Sequence, residues 1–139
     1  MGATYQPAVK QVVAGIIAHD GKVLICQRSK DGPMPLKWEF PGGKIEPQED
    51  AIAALQRELE EELGISATIG KKVARIRHRY RKGQEVELQF YRVLDYEGEM
   101  QNRIFEQLQW VERHKIAGFD FLDADRDLVR QIAGGEIEL

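Results

Sequence analysis

Apolar and polar positions cut this chain into short segments of two different periods. Lys10 to Ala18 and Lys22 to Gln27 are apolar runs either side of HDGK, and Asp20-Gly21 is a two-residue hairpin signal. A stretch rich in turn formers follows, RSKDGPMPLK, and then the short apolar WEF and PGG. Gln48 to Leu63 has no internal Gly or Pro and is rich in Ala, Leu, Glu and Gln; it predicts a helix that stops at Gly64, a good C′ residue. Ala67 to Tyr80 and Glu85 to Tyr96 predict strands separated by RKGQ, the second alternating through Val86, Leu88 and Phe90. Gln107 to Val111 predicts a short strand, and Asp123 or Asp125 opens a last helix through RDLVRQIA that ends at Gly134-Gly135. With no repeat or linker, residues 1–139 read as one domain of α/β or α+β class.

Composition narrows the function classes. A content of 42% hydrophobic and 31% charged residues describes a soluble globular protein. The longest apolar run, Val12 to Ala18, is too short to span a bilayer. The N-terminus has no secretory pattern, and Gln6 stands where a myristoylated Gly2 needs Ser or Thr. The single cysteine, Cys26, permits no intrachain disulfide, suits a reducing cytoplasm and sits in an apolar strand pattern that predicts a buried thiol. A net charge of −3 argues against a nucleic-acid polymer as partner but leaves room for a small anion, because a divalent cation reverses the sign of an acidic site.

The acidic stretch changes the picture further. Between Gly42 and Ile65 stand seven carboxylates, three of them consecutive at Glu60-Glu61-Glu62. On a helix, Glu58, Glu61 and Glu62 share a face, while Ile52, Leu55, Leu59 and Leu63 form an apolar stripe about a quarter-turn away. Ala51 and Ala54 continue the acidic face and leave room above it. Carboxylates at a helix C-terminus oppose the macrodipole. The residues alone leave two readings open, a solvated acidic face or an oxygen-ligand site for a hard cation.

Gly43, five residues, Glu49, seven residues, Arg57-Glu58-Leu59, one residue, Glu61-Glu62, one residue, Gly64-Ile65 resembles the Nudix box at every position. VVAGIIAHDGKVLICQR, KWEFPGGKIE and LQWV extend the resemblance to the MutT-type branch. It implies a mixed β-sheet between α-helices and hydrolysis of a nucleoside diphosphate linked to another group, with Mg²⁺ or Mn²⁺. By the same resemblance Glu58, Glu61 and Glu62 bind the metal, the Gly43 carbonyl completes the shell, and Glu106 supplies a further metal-binding or general-base carboxylate. Glu49 and Arg57 would orient the box as a structural pair, and Arg28 and Lys44 would contact phosphate. Attack at the β-phosphorus of a nucleoside triphosphate would release monophosphate and pyrophosphate.

At the base end, the resemblance points to Phe40 and Tyr80 as base contacts and places Asp125 where 8-oxoguanine-selective enzymes carry Asn. Phe40 also reads as core and Asp125 as a helix N-cap. An ionised Asp only accepts hydrogen bonds, which suits the amino group of cytosine or the N7–H of 8-oxoguanine and repels O6 unless the carboxyl is protonated. The expected activity is 8-oxo-dGTP diphosphatase in nucleotide-pool sanitation; the alternatives are a CTP or dCTP (5-methyl-dCTP) pyrophosphohydrolase and a non-catalytic ligand sensor. The protein is expected as a monomer or homodimer. Arg75, Arg77, Arg79 and Arg81 read as a solvated strand face, His19 and His114 as turn residues, and DADRD lacks the pattern of a calcium loop.

Overall fold

The computed structural model describes residues 9–80 and 83–139; the expectations for Gly2, Gln6 and Arg81 lie outside them. Along the chain run β1 (Lys10–His19), β2 (Lys22–Gln27), β3 (Trp38–Glu39), β4 (Gly42–Lys44), α1 (Ala51–Leu63), β5 (Ser66–Arg79), β6 (Glu85–Glu97) and β7 (Gln107–Glu112). Two 3₁₀ turns, Arg113–Gly118 and Asp123–Asp125, lead to α2 (Arg126–Ala133). The strands are joined in the order β3-β2-β1-β6-β5, with β4 added on β1 and β7 on β2. Only β1 and β6 run parallel among the named strands; the other pairs are antiparallel. This is the mixed sheet expected.

Alternation along the strands sends side chains to two cores. Ala14, Ile16, Val23, Ile25, Leu88 and Phe90 face one layer, which Leu128, Val129 and Ile132 of α2 cover. Val13, Ile17, Leu24, Cys26, Tyr91 and Val93 face the other, against Leu55, Leu59 and Leu63 of α1. The sheet therefore lies between the two helices. Cys26 has no exposed surface, and burial pushes its thiol pKa well up, which fits a packing role.

The predicted elements hold with four corrections. The first helix starts at Ala51, not Gln48: Gln48 has a left-handed φ of 67°, and the Asp50 side chain caps the helix through the Ala53 amide at 2.7 Å. Ile52 is 41% exposed, because it lies in the turn before Ala54 and Leu55, the first fully buried side chains of α1. Ala54 is itself core and leaves no room for a ligand. The acidic face is also not separate from the packed one, since Glu62 is buried along with the leucines. The short strand β4 and the turn at Arg113–Gly118 were not anticipated; both are too short to show a period. The Asp20-Gly21 turn closes the first hairpin with φ of 52° and 77°.

Candidate active site

Helix α1 carries the acidic residues to the open end of the β1–β4 pairing. Arg57 organises them. Its Nε and Nη2 donate to the two oxygens of Glu49 at 2.8 and 2.9 Å, a bidentate clamp. Nη2 also donates to the Lys44 carbonyl at 3.0 Å, tying the helix to the strand that contains Gly43. The guanidinium hydrogen bond holds the Glu49 carboxyl far down, at about 2, and the partners in turn raise the Arg57 pKa. Glu49 and Arg57 thus form an ion pair within the protein itself.

Gly43 and Glu58 meet closely. A Cβ on Gly43 would stand 2.4 Å from the Glu58 carboxyl carbon, so any larger residue would push the carboxylate aside. Glu62 lies behind it, only 8% exposed, with Oε1 accepting from the Gly42 amide at 3.1 Å. Burial, then the Glu58 charge, push the Glu62 pKa up to about 9, the Gly42 amide working against them. Burial also raises Glu58, and Arg57 opposes it at 3.0 Å.

Two other candidates stand apart. Glu61 is largely exposed and faces Arg57 at 3.4 Å. Glu106 is exposed, and its Oε1 accepts from the Lys30 amide at 3.2 Å. Among the described residues no cluster of three or more His, Cys, Asp or Glu stands ready to hold an ion. What the structure does bring together is two neighbouring, poorly compensated carboxyls beside a glycine too tight for a side chain. An all-oxygen donor set of this kind fits a hard divalent cation.

Gly43 and Glu62 open onto a cavity of about 470 Å³ whose apolar wall includes Val12, Val86 and Leu88. Phe40 lines the cavity, yet is 3% exposed and packs on Phe90 and Phe121, ring centroids 6.2 and 5.4 Å away. Tyr80 lines the same cavity, its hydroxyl pKa pushed to about 12 by burial and then by Asp125.

Asp125 stands at the N-cap position of α2, but its side chain makes no capping bond, and Oδ1 is buried without a hydrogen-bond partner among the described residues. Burial first, then the Glu39 charge, raise its pKa to about 8, with Arg28 opposing. Arg28 lines the cavity with two nitrogens engaged: Nη1 pairs with Glu39 at 3.0 Å and Nε donates to the Pro33 carbonyl at 3.0 Å. Lys44 is exposed at the cavity.

Two cavity residues were missed by sequence reasoning. Glu39 is held largely out of water, and burial raises its pKa against the pull of Arg28. Lys10 faces the cavity at the end of the row Lys10, Val12, Ala14, its pKa lowered by burial and then by Lys44 and Arg28. Strand alternation from Val12 could have found Lys10; nothing in the short WEF segment marked Glu39. Arg75 and Arg77 pair across to Glu87, and Arg79 to Glu85, as befits a solvated face.

The sequence model of the family described as NUDIX domain matches residues 9–132. The chain is 40% identical over 119 residues to a CTP pyrophosphohydrolase of Escherichia coli, an alignment covering 86% of this chain and 87% of that one. It is 34% identical over 123 residues to an 8-oxo-dGTP diphosphatase of Haemophilus influenzae, covering 88% and 90%. The solution structure of the E. coli ORF135 protein superposes with a TM-score of 0.80 at 37% identity, covering 92% of this chain and 91% of that one. The chain belongs to the Nudix family of hydrolases, whose members generally use divalent metal ions.

Proposed function

We propose that this Nudix hydrolase is a Mg²⁺- or Mn²⁺-dependent nucleoside triphosphate pyrophosphohydrolase of MutT type, cleaving its substrate to the monophosphate and pyrophosphate. One observation carries the reading: a single cavity is lined by Gly43 and buried Glu62 and also by Asp125, whose Oδ1 has no hydrogen-bond partner among the described residues. Such a cavity can take a metal-bound polyphosphate and a base together. Glu58, Glu61, Glu62 and the Gly43 carbonyl would hold the ion, with Glu106 as a further ligand or base. When bound, the ion polarises phosphate and lowers the pKa of a coordinated water. The chain's own part is to fix the carboxylates through the Glu49–Arg57 clamp and to place the nucleotide. Lys44, Lys10 and Arg28, the last also paired with Glu39, offer cations to the phosphates or sugar.

Base choice rests on Asp125. With a pKa of about 8 its carboxyl is largely protonated at neutral pH, so it can donate as well as accept. A protonated carboxyl can donate to O6 of 8-oxoguanine and accept from N7–H, much as an amide does. This supports 8-oxo-dGTP as the substrate and a role in nucleotide-pool sanitation and DNA repair. A cytosine nucleotide is the second reading, favoured by the carboxylate in place of Asn and by the likeness to the E. coli relative named for CTP. A cytoplasmic setting suits the lone buried thiol; no helix among the described residues is long and apolar enough to cross a membrane.

The test is a panel of ordinary, oxidised and 5-methylated nucleoside triphosphates with Mg²⁺, reading kcat/KM and products. The expected result is monophosphate plus pyrophosphate, with 8-oxo-dGTP or a cytosine nucleotide at least about tenfold ahead, as one well-placed buried hydrogen bond allows. Orthophosphate as the main product, or no turnover, would overturn the reading.

A further inference from the structure

The C-terminal end of α1 poses a problem that its own sequence does not solve. Its last turn contains no basic residue, although the negative helix end and the acidic cluster coincide there. The last carbonyls also need donors. Gly64 satisfies one, its amide donating to the Glu60 carbonyl at 2.9 Å from a left-handed φ of 69°.

The remaining donors come from outside the motif. The Gln101 amide donates to the Leu63 carbonyl at 2.8 Å and the Arg103 amide to the Glu62 carbonyl at 3.1 Å. Arg103 Nη1 donates to the Glu60 carbonyl at 2.9 Å, and its Nε to Gln101 Oε1 at 3.3 Å. The guanidinium fills the space beside Gly64, where a Cβ would come within 2.8 Å of Nη2. Next in sequence, Asn102 closes the turn by accepting from the Phe105 amide at 2.8 Å and donating to its carbonyl at 2.9 Å. Ile104 and Phe105 then line the cavity, and the Glu106 amide is pinned to the Gln27 carbonyl at 2.9 Å.

We infer that residues 101–106 form a strap fixing the end of α1 relative to the cavity, and that Arg103 is its positioning residue, setting the box glutamates for metal and substrate. Arg103 does not line the cavity itself. It brings a cation and a side-chain donor to a helix end that lacks both, and it fixes the backbone from which Glu61 and Glu62 project. The same strap ends at Glu106, so it also sets the spacing between that carboxylate and the box. The proposal rests on the metal-dependent reading above.

Arg103→Ala and Arg103→Lys test it. Mn²⁺ binding to the nucleotide-free protein, followed by electron paramagnetic resonance, should weaken several-fold in the alanine variant. Amide exchange at Gly64 and Gln101 should quicken. With saturating metal, kcat should fall about tenfold while nucleotide KM changes little, because small misplacements of reacting groups are costly. Arg103→Lys, which keeps the charge but not the fork, should recover part of each effect. Wild-type Mn²⁺ affinity and wild-type kcat per folded molecule in Arg103→Ala would overturn the proposal, whatever happens to the melting temperature. Should the wild type lack triphosphate hydrolysis, the functional reading falls, while metal binding and amide exchange still decide the role of Arg103.

Discussion

Glu61→Gln should lose about a thousandfold in kcat while melting close to the wild type. The side chain is 59% exposed, and its ion pair is a 3.4 Å contact to Arg57, a residue already held by Glu49 and Glu58. An exposed pair of this kind is worth about 0–1 kcal/mol, so the amide should fold normally. Catalysis is different. A Lewis-acid ion contributes several kcal/mol to the transition state, and each 1.36 kcal/mol is a decade in rate. Taking one anionic ligand away should forfeit much of that. The measurement is pyrophosphate release as Mg²⁺ is varied, with circular dichroism alongside; a folded and fully active variant would remove Glu61 from the site.

Asp125→Asn should alter the ratio of kcat/KM for 8-oxo-dGTP against dCTP by tenfold to a hundredfold, the worth of about 1–3 kcal/mol in a buried hydrogen bond. If 8-oxoguanine is the natural base, the amide keeps 8-oxo-dGTP activity, because it too donates and accepts. If cytosine is, dCTP activity falls, because the added donor must find a partner. Equal, slight responses would retire Asp125 as a base reader. Stability supplies a second readout. The folded pKa is raised from 3.8 to about 8, so the native state holds a proton that the unfolded chain releases. The protein gains most from this below pH 4 and loses it as pH rises towards 8. The charges of Glu39 and Arg28 act on this carboxyl, and Asp125 in turn acts on the Tyr80 hydroxyl. Melting of Asp125→Asn should therefore improve on the wild type increasingly across that window, and base selectivity of the wild type should change near pH 8.

Much of this was legible in the residues, and the failures share a cause. Strands β1 and β2 and their hairpin could be read because two apolar runs flank the turn signal Asp20-Gly21. The helix could be read from its composition, and Glu49 with Arg57 from the motif. Legibility stopped where contacts are distant in sequence. Asp125 reads locally as a cap, and nothing local shows its burial near Glu39, with Oδ1 unpartnered among the described residues. Arg28 reads as a free cation until Glu39 is placed beside it. Helical geometry put Glu58, Glu61 and Glu62 on one face, but Arg57 competes for Glu61, and periodicity carries no information on such competition. Arg103 carries no local signal at all: its partner carbonyl is 43 residues away.

Hydrolysis in ¹⁸O-labelled water locates the attack, which the proposed metal-assisted cleavage of a nucleoside triphosphate puts at the β-phosphorus. Mass spectrometry of the products should find one labelled oxygen in pyrophosphate and none in the nucleoside monophosphate. Label in the monophosphate would move the attack to the α-phosphorus, and labelled orthophosphate as the main product would contradict the pyrophosphohydrolase assignment itself.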